Sequence, residues 1–341
     1  MKNTRNTYYI CLIILFITFI ASVGIGSVPI SPMITVRLLT NQILGIGVID
    51  DIPATMADIL MKIRLPHAIL MLLTGAALSG SGAAYQGLFR NPLADPFLIG
   101  VASGAGLGAV VAMSINWPTN LIGMYTIPLS AFVGAIITIF LVYQFSRVGK
   151  RLPMASLILA GVAISSFTNA ITSLLMLQSK EEVHRALSWL FGGGAVSGWQ
   201  PVLAMFPYLL IGAVCLVISG HSLNVLQFGE EQAQQLGLSV DKAKLLVIFA
   251  ASLSTAAAVA FAGIIGFIGL IVPHLIRLLW GTDYRHLIPL SILGGGSTLL
   301  IADLLARTLF APQILPVGIV TALTGAPFFL WILRRVKAEG T

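Results

Sequence analysis

Charge is scarce in this sequence. Only 9% of its 341 residues are Asp, Glu, Lys or Arg, where an ordinary soluble domain carries about 25%. The deficit excludes a soluble enzyme, and it excludes a disordered chain, which stays open through polarity and charge. Cysteine is nearly absent. Cys11 and Cys215 both lie inside apolar runs and neither has a CxxC partner, so no disulfide framework or thiolate metal site is implied. No GxxxxGK[ST] phosphate loop occurs, because the one Gly-Lys pair, Gly149-Lys150, is followed by Arg151. The chain is therefore not expected to hydrolyse ATP itself. HExxH and GxSxG are also missing, which argues against an intramembrane metalloprotease or serine hydrolase. The histidines, His67, His184, His221, His274 and His286, are scattered and read as interfacial or core residues rather than ligands.

Hydrophobic length is what the sequence has. Apolar residues make up 57% and the mean hydropathy is +0.97. Membrane β-barrels alternate apolar and polar residues and look far less hydrophobic, so the spans must be helices that satisfy their own backbone. The first charge-free run covers residues 8–28, 21 residues behind Lys2 and Arg5. It is long enough to span and reads as a retained first helix rather than a cleaved leader, whose apolar region is about 7–15 residues. A second run covers 65–89. The stretch 96–146 holds two spans separated by Asn116-Trp117-Pro118-Thr119-Asn120, a turn-like cluster with an interfacial Trp. Further spans are expected at about 153–178, 202–220, 245–261, 267–280, 287–305 and 315–333. The 267–280 segment is short and carries Pro273 as an interruption, so it reads either as a span or as a re-entrant piece. The expected fold is all-α: a polytopic membrane protein of about ten transmembrane helices, one domain over residues 1–341.

The few charges sort by side. With ten spans and both termini in the cytoplasm, Lys2, Arg5, Arg90, Arg147, Lys150, Arg151, Lys242, Lys244, Arg277, Arg285, Arg334, Arg335 and Lys337 fall inside, thirteen of the nineteen basic residues. Arg37, Lys62, Arg64, Lys180, Arg185 and Arg307 fall outside. The inside acids are Asp95, Glu230, Glu231, Asp241, Asp283 and Glu339; the outside acids are Asp50, Asp51, Asp58, Glu181, Glu182 and Asp303. The formal net charge of +7 thus lies entirely on the cytoplasmic side, as the positive-inside rule requires. It is topology and not a footprint for nucleic acid. Span centres hold almost no charge. A mid-bilayer charge costs about 2.5–3.5 kcal/mol and ion-coupled carriers keep it for a reason. The competing reading, a stand-alone secondary carrier or channel, is weakened accordingly.

Three further patterns stand out. Gly100, Gly104 and Gly108 form a repeated GxxxG, read as close helix packing. On the fifth span Ser165, Asn169, Thr172 and Met176 share one helical face, either lining a pathway or hydrogen-bonding between helices. Between the sixth and seventh spans lies a polar insert, residues 221–244, where Glu, Gln and Ala favour a short helix that Gly237 would stop.

Several strings in register resemble the membrane subunit of the ABC importers for iron chelates, haem and vitamin B12, the FecCD-type family. They are Arg64-Leu65-Pro66-His67, Gly75-Ala76-Ala77-Leu78 and Gln86-Gly87-Leu88-Phe89-Arg90-Asn91-Pro92-Leu93-Ala94-Asp95-Pro96. Further along come Gly263-Ile264-Ile265-Gly266-Phe267-Ile268-Gly269-Leu270-Ile271-Val272-Pro273-His274 and Ala302-Asp303-Leu304-Leu305-Ala306-Arg307. The last are Leu315-Pro316-Val317-Gly318-Ile319-Val320-Thr321-Ala322-Leu323 and Gly325-Ala326-Pro327-Phe328-Phe329. The resemblance runs from about residue 64 to 335.

The resemblance implies a multi-pass permease of the prokaryotic cytoplasmic membrane, surrounded by lipid. It would pair with a second permease chain, identical or a close paralogue, with two cytoplasmic ATPase subunits that bind ATP and Mg, and with an extracytoplasmic binding protein. The cargo would be a ferric siderophore, haem or corrinoid, and this chain would hold no cofactor. In the family the insert between the sixth and seventh spans docks on the ATPase, which here selects Gly229, Glu230, Glu231, Gln232, Ala233, Gln234, Gln235, Leu236, Gly237 and Leu238. Arg64 and Arg307 match arginines that meet acidic residues of the binding protein, and His67 stands where the vitamin B12 member has a third arginine. Asn91 and Leu93 match a cytoplasmic gate. Met154 and Ala155 replace small hydroxylated residues at the other constriction. The fifth span lines the family's pathway, which would give Ser165, Asn169, Thr172 and Met176 that role. An inverted repeat of the second-to-fifth and seventh-to-tenth spans is a family trait without a trace in this sequence.

Overall fold

The computed structural model describes residues 4–26, 30–44, 52–115, 121–149, 152–178, 183–193, 198–311 and 313–339. Lys2, Asp50, Asp51, the 116–120 turn, Lys150, Arg151, Lys180, Glu181, Glu182 and part of the Gly/Trp-rich connector at 194–197 lie outside the described residues.

Among the described residues the chain is helical throughout. α1 (Thr4–Gly24) and α2 (Pro32–Leu44) are followed by α3 (Ala54–Asp58), a π-helical stretch (Ile59–Arg64) and α4 (Leu65–Leu88), which run on without a break. A 3₁₀ turn (Pro96–Ile99) leads into α5 (Val101–Met113), α6 (Leu121–Ser146) and α7 (Met154–Gln178). Then come α8 (Val183–Leu190), α9 (Trp199–Leu226), the short α10 (Glu230–Gln235), α11 (Val240–Ala262), α12 (Ile268–Trp280), α13 (Tyr284–Thr308) and α14 (Val317–Glu339).

Seven helical stretches among the described residues are long and apolar enough to cross a membrane, and α5, α12 and the first part of α14 are shorter apolar helices. The ten apolar segments of the sequence each fall on one of these. Pro273 does not interrupt its helix. It sits inside α12, as Pro128, Pro207, Pro289 and Pro327 sit inside α6, α9, α13 and α14, a placement that membrane helices tolerate. α9 and α11 extend into the polar insert from both ends, leaving only residues 227–239 between them. α2, α8 and the π-helical stretch are elements without a counterpart among the segments expected from hydropathy.

α4 and α11 form the buried centre. They run antiparallel: Ser81 Oγ donates to the Ala251 carbonyl at 3.1 Å, and one turn further along α4 the Tyr85 hydroxyl reaches the Ile248 carbonyl at 3.4 Å, one turn back along α11, and also meets Ser252 Oγ at 2.9 Å. Backbones touch where side chains vanish. A Cβ added at Gly75 would strike the Gly295 carbonyl of α13, and one at Gly82 would strike the Gly269 carbonyl of α12. In the GxxxG run, Gly104 and Gly108 lie against the backbone of α6, while Gly100, at φ +84°, caps α5. Large apolar side chains such as Phe16, Phe140 and Leu203 remain exposed, as a lipid-facing belt requires.

The order long, short, long, long occurs twice. α4, α5, α6 and α7 have 24, 13, 26 and 25 residues; α11, α12, α13 and α14 have 23, 13, 25 and 23. In both halves the short helix starts after a non-helical break with a positive φ, at Gly100 and at Phe267. With α4 and α11 antiparallel, this is the pattern of an inverted repeat.

Candidate functional site

One end of the molecule gathers the C-terminus of α1, the start of α4 and the end of α13. Helix C-termini leave carbonyls without partners, and here two arginines supply the donors. Arg64, 7% exposed, donates to the Gly24 carbonyl at 2.8 Å and more weakly to that of Val23 at 3.4 Å. Arg307 donates to the Ser22 carbonyl and hydroxyl, both at 3.1 Å. Asp303, nearly buried, lies between Arg307 Nε at 2.9 Å and His67 Nε2 at 2.8 Å. Arg64, His67, Asp303 and Arg307 line one open cavity of about 460 Å³. The three basic residues singled out in the sequence are thus brought together. The acidic partner of His67 and Arg307, Asp303, was legible only as an outside charge, although its i, i+4 spacing to Arg307 is a recognisable helix pair.

At the opposite end α10 stands between α9 and α11. Gly229 (φ +108°) precedes it, and Glu230 and Glu231 occupy its first turn, where the helix dipole favours acids. It closes with Leu238 N–H on the Ala233 carbonyl and Gly237 N–H on that of Gln234, with Gly237 at φ +86°. This is the left-handed glycine stop that the sequence leads one to expect. Ala233 is fully buried and anchors the helix, while Glu231, Gln232, Gln234, Gln235 and Leu236 are exposed. Leu236 and, just before the helix, Phe228 are 67% and 66% exposed. Lys244, buried on the first turns of α11, bonds Glu230 at 2.6 Å and the Leu152 carbonyl at 3.2 Å. Hydropathy alone marks Lys244 as an interfacial charge, and nothing local in the sequence signals the bond.

Between α4 and the 3₁₀ turn the chain folds tightly. Asn91 Oδ1 accepts from Leu93 N–H at 2.9 Å, and Arg90 adopts φ +49°. Asp95 caps the turn by accepting from Phe97 N–H at 2.8 Å, and burial pushes its carboxyl up to about 6 against that bond. Nearby, the Arg285 guanidinium holds the Asp283 carboxyl well below the usual carboxylate range. Asn91 is exposed and Leu93 half-buried. Met154 and Ala155 begin α7, and no hydrogen bond among the described residues joins them to Asn91 or Leu93. The link is higher up, where Gly161 of α7 lies against the Leu98 carbonyl.

The polar stripe on α7 is divided. Ser165 accepts from Ser103 of α5 at 3.1 Å, Thr172 is buried with its hydroxyl on the Thr168 carbonyl, and Met176 packs on the core. Asn169 is exposed, on the face that also carries Ala155, Leu159, Val162, Ser166 and Ser173.

The FecCD transport family model matches residues 14–335. An ABC transporter permease protein of Bacillus subtilis, YvrB, is 43% identical over 342 residues, covering 100% of this chain and 97% of its own. The cobalamin import system permease protein BtuC of Halobacterium salinarum is 46% identical over 283 residues, 83% of this chain and 75% of its own. The hemin transport system permease protein HmuU of Yersinia pestis is 38% identical, covering 96% and 95%. A solved structure of a metal-chelate type ABC transporter in an inward-facing conformation superposes with a TM-score of 0.81 at 31% identity, covering 97% of this chain and 99% of that one. A chain that the family model matches from residue 14 to 335, with permease relatives 38–46% identical and a superposition along nearly its whole length, belongs to the FecCD transport family, as an ABC importer permease.

Proposed function

We propose that this chain is one permease half of an importer that carries a metal chelate into the cytoplasm, powered by ATP hydrolysis on separate subunits. Ten helices cross the membrane with both termini in the cytoplasm, and α10 is the surface that engages the ATPase. One observation carries the reading most directly. α10 is rigidly capped at its C-terminus, anchored by Ala233, and yet presents Leu236 and Phe228 to solvent on a helix too short and polar to enter the bilayer. An exposed apolar pair on an anchored polar element is the signature of a docking site, and a short rigid helix moves as a unit.

The cavity around Arg64, His67 and Arg307 would receive the binding protein. Both arginines already serve α1, so their contribution to docking is steering and orientation more than tight binding. Two copies facing each other through the open side of α7 would enclose the pathway, with Asn169, Ser166 and Ser173 as weak polar contacts. The relatives' names, cobalamin, hemin and Fe(3+)-citrate permeases, define the cargo class to test.

The experiment reconstitutes the chain with its ATPase and binding protein in vesicles and follows ATP-driven uptake of cyanocobalamin, haemin and ferric citrate. Leu236→Asp, at an exposed position, is expected to leave the permease folded, to abolish co-purification of the ATPase and to reduce uptake at least tenfold. Full ATPase retention and uptake in this variant would remove α10 from the docking role.

A further inference from the structure

Lysine is almost never fully buried unless it is paired, and Lys244 is 3% exposed. Its ammonium donates to Glu230 Oε2 at 2.6 Å and to the backbone carbonyl of Leu152 at 3.2 Å. These partners belong to different segments. Glu230 is the first residue of α10. Leu152, itself buried, lies two residues before Met154, where α7 begins. One side chain on α11 therefore holds both the short exposed helix and the entry to α7.

We infer that Lys244 is the residue that passes displacement of α10 to the cytoplasmic end of α7. The inference rests on the reading that α10 docks the ATPase. Three observations support it. First, α10 is flanked by Gly229 and Gly237, both at positive φ, so it can pivot as a unit on its two ends. Second, the turn bonds at 226–229 and 233–238 stay within α9, α10 and the following loop, and α10 otherwise packs on α9 and α11. Among the described residues, the hydrogen bonds through Lys244 are the ones that continue from α10 to the start of α7. Third, the energetics favour joint motion. Pulling Glu230 away leaves a buried ammonium without its counter-charge, which is far more costly than breaking an exposed pair. Glu230, by contrast, has 45% of its side chain exposed, so it is not buried for its own stability. Its bond serves to hold α10 to the buried charge.

The test uses the assembled complex and needs no knowledge of the cargo. In a Cys11→Ser, Cys215→Ser background, a bimane fluorophore at Ala155→Cys reports the environment of the start of α7. ATP with vanadate is expected to shift its emission in the parent complex. In Lys244→Met, which keeps the apolar stem and removes the ammonium, the ATPase is expected to co-purify and trap nucleotide as before. The emission shift should fall at least tenfold. A full emission shift in Lys244→Met overturns the inference. Should that variant fail to assemble, Glu230→Gln alters only the half-exposed partner. It is expected to reduce the shift severalfold, and an unchanged shift there overturns the inference equally. Retention of the ATPase by Leu236→Asp would instead overturn the docking role of α10, a separate failure with its own readout.

Discussion

Two arginines at one end of the bundle serve the carbonyls that close α1. Arg64 is buried and spends its donors on carbonyls at the end of α1; Arg307 does the same while sharing Asp303 with His67. Arg64→Ala would remove the charged donor from those carbonyls, at a cost of about 1.5–3 kcal/mol for a hydrogen bond to a charged group. The expected outcome is a lower unfolding midpoint of the purified permease in detergent, before any binding protein is added. Unchanged stability with weakened binding-protein association would assign Arg64 to docking alone. At this scale the sequence was informative about identity and silent about partners. It placed Arg64, His67 and Arg307 at one side of the membrane, but a carbonyl partner leaves no sequence signal. The pairings of Asp303 and Lys244 escaped notice for a related reason: scarcity of charge locates ionisable residues along the chain without saying which ones will meet.

Elements were legible where hydrophobic length decides them. Every long apolar helix falls on one of the apolar segments that hydropathy marks, because lipid forces a backbone without water to hydrogen-bond to itself. α10 was legible for a different reason, since Glu, Gln and Ala end at a glycine that only a left-handed stop exploits. The missed elements lack such a driver. α2 mixes Arg37, Thr40, Asn41 and Gln42 into its apolar positions, and α8 has eight residues with its apolar side on one face. Packing between elements depends on glycines whose position in a run does not reveal their partner. Gly82→Val is expected to prevent α4 and α12 from approaching, because the atom in the way is the Gly269 backbone carbonyl, which cannot step aside. Overpacking costs about 1–3 kcal/mol where side chains can adjust, so the loss here should be at least that large, seen as aggregation or a depressed melting midpoint in size-exclusion profiles. Gly266→Ala, where an added Cβ meets open space, should behave as the parent protein.

At the scale of the whole molecule, the repeated long, short, long, long order relates α7 to α14 and α4 to α11, although the two halves share no visible sequence pattern. Helix lengths are set by bilayer thickness and by the breaks before α5 and α12, and neither requires the same side chains. The repeat leaves α7 at the margin of the bundle with one face against α5 and another open. Hydroxyl and amide groups occur on both faces, which is why periodicity alone could not separate a pathway from interhelical bonding. Chemical access can. Thiols react as thiolates, which need water. In the assembled transporter, Asn169→Cys and Ser173→Cys should react with a membrane-impermeant maleimide at least tenfold faster than Thr172→Cys, whose side chain is buried in the bundle. Nucleotide trapping should change the rate at the first two and leave the third unaltered. Equal, slow labelling at all three positions would mean that the open face of α7 meets lipid or another helix, and the pathway would then have to be sought along a different surface of the bundle.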